Sequence, residues 1–329
     1  MNNKVASRKK LNVPVLLTLH VRSAHLPNQL RILKESGITR LYISIDGPRN
    51  RSDRYHQEKL HAIISNFKEQ FDEFYVRESE SNQGIAVGMI TAIDWFFSEN
   101  QAGIIFEDDI VFTSDTLSFL TQALLTTANN AEILLVSGFQ PFSSGTNDYR
   151  VCFTNYPQIW GWATHAYKWE QMRSYIFNEP QTPESINKRI RNFWSVGWSR
   201  VHKGYLDTWD LPIATGMLFT RKLCMLPPIN LTSNNGVDTH STNTKEASFP
   251  MGLPIEKIQH IVEFEIEPVL AEVIEFNRKF EKEIYCISAK HLAIPIIKKI
   301  DRFKFSRSKK DPINLRMKSD YRTKIKIFE

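Results

Sequence analysis

Ala102-Gly-Ile-Ile-Phe-Glu-Asp-Asp-Ile-Val-Phe112 is the stretch on which the reading of this chain turns. Ala102 to Phe106 is an apolar run without polar alternation, the pattern of a strand covered on both faces. The run stops at Glu107-Asp108-Asp109, three consecutive carboxylates held between Phe106 and Ile110. Strands covered on both faces belong to open parallel sheets, which bind ligands at the carboxyl ends of their strands. Strand periodicity puts Glu107 and Asp109 on one side and Asp108 on the other. Such a group suits Mg²⁺ or Mn²⁺, hard cations that take one or two carboxylates and leave positions for substrate phosphates. The plainer reading of the same residues is a solvated turn, or an acidic helix start ahead of Ser114-Asp115.

Outward from this point the chain alternates strand and helix patterns. Val13 to Leu19, Arg40 to Ile45, Phe71 to Arg77 and Glu132 to Val136 read as further strands. Between them, Ala24 to Ser36, Asp53 to Phe67, Ile85 to Ser98 and Thr116 to Thr126 carry helical spacing. The order predicts an α/β fold, a mostly parallel sheet with helices on both faces. Asp46-Gly47-Pro48 closes the second strand as a turn, which Asp-Gly-Pro forms readily on its own. From residue 139 to about 245 the pattern becomes irregular and aromatic. Six of the seven tryptophans fall there (Trp160, Trp162, Trp169, Trp194, Trp198 and Trp209), as expected of binding loops. Four segments result: a polar start at 1–10, a ligand-binding half at 11–140, an aromatic half at 141–245, and a connector with a basic end at 246–329. The connector's best helix runs from Pro268 to Ile284.

The 329 residues carry 42 Lys and Arg against 36 Asp and Glu, a net of +6. Residues 290–329 hold 13 of the bases and 4 of the acids, which leaves −3 for residues 1–289. The basic charge therefore belongs to the C-terminal extension, and nucleic acid is not an expected partner of the body. That extension pairs apolar and basic residues from His291 to Ile300. It could lie on an anionic membrane surface, or be a solvated basic end. Cys152, Cys224 and Cys286 are far apart and suggest neither a disulfide framework nor a zinc knuckle. The polar, basic start carries no secretory pattern, and no run reaches the ~18 apolar residues of a membrane span. A cytoplasmic protein is expected, with the inner face of the plasma membrane as a docking surface. Asn230-Leu-Thr232 matches a glycosylation sequon by chance on this reading.

No GxxxxGK[ST] loop is present, and the first strand is followed by His20-Val-Arg-Ser-Ala24, without glycine. P-loop and dinucleotide-binding enzymes are thereby disfavoured, as is a sugar nucleotidyltransferase, which wants a glycine-rich loop there.

Taken in order, these residues form a pattern: a strand then Arg22-Ser23, a strand then Asp46-Gly47, Asn82-Gln83-Gly84 opening a helix, and Glu107-Asp108-Asp109. Pro157-Gln-Ile-Trp160-Gly161-Trp162, Thr208-Trp209-Asp210 and Asn234 to His240 follow. Over residues 11–245 the chain resembles GT-A nucleotide-sugar glycosyltransferases. It is most similar to the N-acetylglucosaminyltransferase I family and to bacterial sugar transferases of polysaccharide clusters such as those for lipopolysaccharide. The resemblance implies a Rossmann-like GT-A fold and transfer of a hexosyl or N-acetylhexosaminyl group from a nucleotide-diphosphate sugar, UDP-linked, with inversion. The acceptor would be a glycan or lipid-linked glycan. It implies donor contacts from Arg22, Asp46, Gln83, Gly84, Glu107, Asp108 and His240. Asp109, with Asp108, would hold Mn²⁺ or Mg²⁺, and Trp160, Trp162 and Trp209 would face the acceptor. Asp210 matches the general base. The second acid that the family carries after Trp-Asp is replaced here by Leu211, which leaves Asp207 as a competitor. The other expectation is a carbohydrate-binding protein that keeps the fold without turnover. Helix caps, turns and core packing remain the plain alternatives for Arg22, Asp46, Gln83 and the tryptophans.

Overall fold

The computed structural model describes residues 12–142, 150–236, 249–257 and 266–287. His240, the sequon's neighbourhood beyond Gly236 and the basic extension lie outside the described residues.

The elements follow in chain order: β1 (Val15–Leu19), α1 (Leu26–Glu35), β2 (Arg40–Ile45), α2 (Arg51–Phe67), β3 (Glu73–Glu78), α3 (Ile85–Glu99), β4 (Ala102–Glu107), β5 (Ile110–Phe112) and α4 (Ser114–Thr126). Next come β6 (Ile133–Ser137), β7 (Cys152–Thr154), β8 (Trp162–His165), α5 (Ala166–Phe177), α6 (Lys188–His202), α7 (Asp210–Phe219), β9 (Leu223–Leu226), β10 (Thr232–Asn234) and α8 (Leu270–Lys279). Eight strands form one sheet in the order β3-β2-β1-β4-β8-β6-β9-β7, and β10 pairs with β5 in a two-stranded sheet. Only β8 and β7 run against the other six strands of the large sheet. This is the mixed α/β architecture that the alternating pattern predicts.

Period-2 alternation along the strands sorts side chains to two cores. Val15, Leu17, Ile43, Ile104 and Phe106 meet Leu30 of α1, Leu60 of α2 and Leu120 of α4 on one face. Leu16, Tyr42 and Ile105 meet Phe96 of α3, Met172 of α5, Trp194 of α6 and Met217 of α7 on the other. Burying one such aliphatic or aromatic side chain contributes about 1.5–3 kcal/mol, so both layers are needed to hold a sheet this wide.

Most sequence-predicted elements fall within two residues of the observed ones. The early start of α2 has a local cause: the Asn50 side chain accepts from the Asp53 amide at 3.0 Å and caps the helix. The stretch from 139 onward departs from expectation. It is no string of loops but supplies α5, α6 and α7 and four short strands, three of which extend the same sheet. The halves expected on either side of residue 140 therefore share one sheet. At the C-terminal side α8 begins at Leu270 rather than Pro268, because Val269 is extended and acts as the cap residue. No helix among the described residues is long and apolar enough to cross a membrane.

Candidate functional site

The chain winds from β1 through β2 to β3 on one side, then places β4 on the other side of β1. Brackets of this kind leave a crevice at the carboxyl ends of the strands, where the strand order reverses. A cavity of about 350 Å³ lies there. Its lining includes Arg22, Asp46, Gln83, Gly84, Glu107, Asp108, Asp109, Trp160 and Asp207, nine of the residues expected from sequence. They come from six separate stretches of chain, and the switch in strand order is what gathers them.

The acidic end of the cavity is built on the turn from β4 to β5. Buried Gln29 of α1 fixes that turn, donating to the Glu107 carbonyl at 3.0 Å and the Ile110 carbonyl at 2.8 Å. Antiparallel pairing of Asn234 with Ile110 then brings the β10 end alongside, and the Asn235 amide donates to the Asp109 carbonyl at 3.0 Å. Arg22 donates from Nη1 to Asp108 Oδ1 at 3.1 Å and Asp109 Oδ2 at 3.2 Å, and from Nη2 to the Gly236 carbonyl at 3.1 Å. The His20 amide donates to Asp108 Oδ2 at 3.4 Å. Burial pushes the Glu107 carboxyl well above the usual range, and the negative charges of Asp109, Asp108 and Asp210 push the same way, with Arg22 opposing. Burial also raises Asp108, although Arg22 pulls it back. Three carboxylates thus act on Glu107 against one guanidinium.

That donor set is all hard oxygen and exceeds the positive charge facing it, which is the chemistry a divalent Mg²⁺ or Mn²⁺ takes up. A side chain at Gly236 would collide with Asp109 Oδ2, so glycine keeps the space beside that carboxylate open. Asp108 and Asp109 are the residues that could hold such a cation. Among the described residues no group of three or more His, Cys, Asp or Glu side chains is arranged as a metal site. A cation that leaves most of its positions to substrate and water needs no such group.

On the other side of β1, Asp46 is held in place by a ring of donors. Its Oδ1 accepts from the Gly47 and Gln83 amides at 2.8 and 2.9 Å, and its Oδ2 accepts from Asn82 Nδ2 at 2.7 Å. Gln57 of α2 donates to the carbonyls of both His20 and Asp46, tying the ends of β1 and β2 together. Gln83 contributes its amide to Asp46, while its side-chain oxygen accepts from Thr91 at 3.0 Å. Gly84 opens α3 with φ +83°, a conformation that favours glycine, and it lies close against Asp207.

Asp207 caps that helix. Its two oxygens accept from the Ile85 and Ala86 amides at 3.1 and 2.9 Å, which satisfies two of the four donors a helix start leaves open. Asp210 stands in the first turn of α7, where the Thr208 hydroxyl donates to it. It lies near enough to Glu107 and Tyr285 to act on both electrostatically. Of the three tryptophans expected to face an acceptor, Trp160 lines the cavity. Trp162 and Trp209 are 1% and 2% exposed and stack on each other at 5.8 Å in the core, so neither offers a ring face to a ligand. The physical reason is position: Trp162 starts β8 in the middle of the sheet, and Trp209 sits beneath it at the entry to α7.

Several cavity residues are given no role by the sequence alone. His20 follows β1, lines the cavity, and has its imidazole held below the usual range by burial and by Arg49. Asn82, Ser44 and Asn234 also line it. A usable signal existed: each is a polar residue at or just before the carboxyl end of an apolar strand, or in the loop that follows one.

No family model matches the chain, and no curated protein matches it significantly. Among solved structures, a glucose-1-phosphate thymidylyltransferase of Bacillus anthracis, solved with sucrose, aligns at 14% identity and a TM-score of 0.32. The alignment covers 51% of this chain and 76% of that one. A UDP-glucose pyrophosphorylase solved with UDP-glucose aligns at 10% identity and a TM-score of 0.36, covering 66% of this chain and 90% of that one. Likenesses of this size carry no argument about activity. The class defined by the chain's own fold and site is a mixed α/β protein with an acidic ligand crevice at a topological switch point.

Proposed function

We propose that the chain is a metal-dependent glycosyltransferase of the GT-A type, moving a sugar with inversion from a UDP-linked donor to a glycan or lipid-linked glycan acceptor. The observation that carries this reading is the single cavity in which Arg22, Asp46 and the Glu107–Asp109 triplet meet across the reversal in strand order. These are the residues that the resemblance assigns to donor and cation. The missing glycine-rich loop after β1 weighs against nucleotidyl transfer.

Transfer from a nucleotide-diphosphate sugar needs charge stabilisation at the leaving diphosphate and a base for the acceptor hydroxyl. Asp108 and Asp109 would hold the divalent cation, which supplies Lewis-acid stabilisation when bound. Arg22 stands between these carboxylates and adds a fixed positive charge beside them. Asp46, already oriented by three donors, suits the ribose or base of the donor. Asp210 is the preferred base. Asp207 would have to give up the amides of α3 to accept a proton, whereas Asp210 is held by one hydroxyl. Trp160, at the cavity wall, is the aromatic face for the acceptor side, and the resemblance alone assigns His240 to the diphosphate. The basic extension suits an enzyme working on the cytoplasmic face of a bacterial membrane, building a surface polysaccharide.

The test is a turnover panel of nucleotide-diphosphate sugars with and without Mn²⁺, on defined glycan acceptors. Cation-dependent release of UDP with transfer of one sugar supports the reading. Binding of glycan without turnover of any donor would replace it with the carbohydrate-binding alternative.

A further inference from the structure

Four strands place polar residues side by side in one transverse row. Glu107 of β4 pairs in register with Thr18 of β1, Thr18 with Ser44 of β2, and Ser44 with Arg77 of β3. In-register neighbours of parallel strands share a face, and Leu16, Tyr42 and Ile105, two residues earlier, put this row on the α3 side. The row runs from carboxylate to guanidinium over three strand spacings, roughly 14 Å. That is long enough for a nucleoside diphosphate lying along it, phosphates toward Glu107 and base toward Ser44.

Arg77 at the far end is 7% exposed and donates from Nη1 to Ser44 Oγ at 3.3 Å. No carboxylate among the described residues pairs with it, and burial lowers its basicity despite the more distant Asp46 and Asp94. A buried charge with no counter-ion costs stability, so its presence calls for another reason. Arginine only donates, so Ser44 Oγ is the acceptor in this contact. The Ser44 hydroxyl hydrogen is left to donate, and it finds no acceptor among the described residues. Ser44 is 6% exposed and lines the cavity.

Resting on the nucleotide-sugar reading above, we propose that Ser44 selects a keto pyrimidine, donating to the carbonyl at the edge of the base farthest from the sugar, with Arg77 as the positioning residue behind it. Uracil and thymine carry an acceptor at that edge. Cytosine carries an amino donor, which leaves the Ser44 hydroxyl hydrogen without an acceptor and competes with Arg77 for the Ser44 oxygen. A site built to hydrogen-bond one group rejects an analogue that cannot answer it.

The experiment is calorimetric titration of the full chain with UDP and with CDP in Mn²⁺. The wild type is expected to bind UDP about 30-fold more tightly than CDP. Ser44→Ala brings the ratio below about 3-fold, and Ser44→Thr, which keeps the hydroxyl, restores most of it. Arg77→Met lowers the same ratio while its melting temperature stays level or rises, because an unpaired buried charge has been removed. A purely structural arginine would lower the melting temperature and leave the ratio alone. A Ser44→Ala ratio equal to wild type, or equal binding of UDP and CDP by the wild type, overturns the assignment. Failure of every nucleoside diphosphate to bind in Mn²⁺ would instead remove the transferase reading on which it stands.

Discussion

The crevice at the ends of β1, β2 and β4 and the aromatic half around α5, α6 and α7 look equally functional in sequence. One carries three consecutive acids; the other carries six tryptophans. In the fold they part company. The crevice keeps Glu107, Asp109, Asp46 and Arg22 at the wall of a cavity, partly open to solvent. In the aromatic half Trp162, Trp169, Trp194 and Trp209 are each 3% exposed or less. There the rings do the packing that long aliphatic runs do beneath β1 and β4. Residue type announces what a side chain can do, and burial decides whether it does so toward a ligand or toward its neighbours.

The comparison can be broken most forcefully at its buried member. Trp162→Ala is expected to destabilise the protein by about 3–5 kcal/mol, read as a shift in urea midpoint, while Trp160→Ala costs far less and acts on acceptor KM. Equal stability losses would mean that the two tryptophans are not divided between core and cavity. Next in size is Asp210→Asn, expected to lower kcat about 10³-fold with UDP affinity retained. If Asp207→Asn shows that kinetic pattern instead, the base belongs to the capping carboxylate.

Lys168 gives a pH-dependent test within the aromatic half. Its ammonium is buried, donates to the Thr127 carbonyl at 2.7 Å, and is held down to about 8 by desolvation. Its folded value lies below the unfolded 10.5, so the unfolded chain binds more protons in between. Stability therefore rises with pH from about 8 to about 10.5, and the cost is fully present below 8. Relative to Lys168→Met, the wild type is expected to gain about 2 kcal/mol across that window, less than the full shift because the group is partly screened. A constant difference between the two urea midpoints would remove the buried-lysine account. The smallest effect is expected at the join of the two regions. Asp207→Ala strips the α3 cap and costs about 1 kcal/mol, visible as faster amide exchange at Ile85 and Ala86.

The strand–helix alternation before residue 140 was legible because most of its strands are apolar runs of five or six residues, each with a helix-length segment before the next strand. Strands β7, β8, β9 and β10 were not, because three or four residues carry no period. Helix α7 escaped for a different reason: Pro212 to Phe219 is buried on every side, so its sequence shows no polar face to set the spacing. The acid triplet, Asp46 and Gln83-Gly84 were readable as strand-end and helix-start chemistry. The engagement of Arg22 with Asp108 and Asp109, and the capping role of Asp207, depend on contacts 86 and 121 residues apart or more. The Glu107–Thr18–Ser44–Arg77 row is invisible along the chain, since it exists only in the register of four strands. Glu107, Thr18 and Ser44 each leave a trace, as the one polar break near the end of an apolar strand, whereas Arg77 stands beside Glu78 and does not.

The proposed function rests on Asp109 and its neighbours binding a nucleotide diphosphate through a divalent cation. Calorimetric titration of UDP into wild type and Asp109→Asn, each with and without Mn²⁺, tests it most directly. The account predicts that Mn²⁺ tightens UDP binding to the wild type about 100-fold and to Asp109→Asn by less than about 3-fold, with metal-free affinities alike. An Asp109→Asn protein that keeps the full Mn²⁺ gain would contradict it.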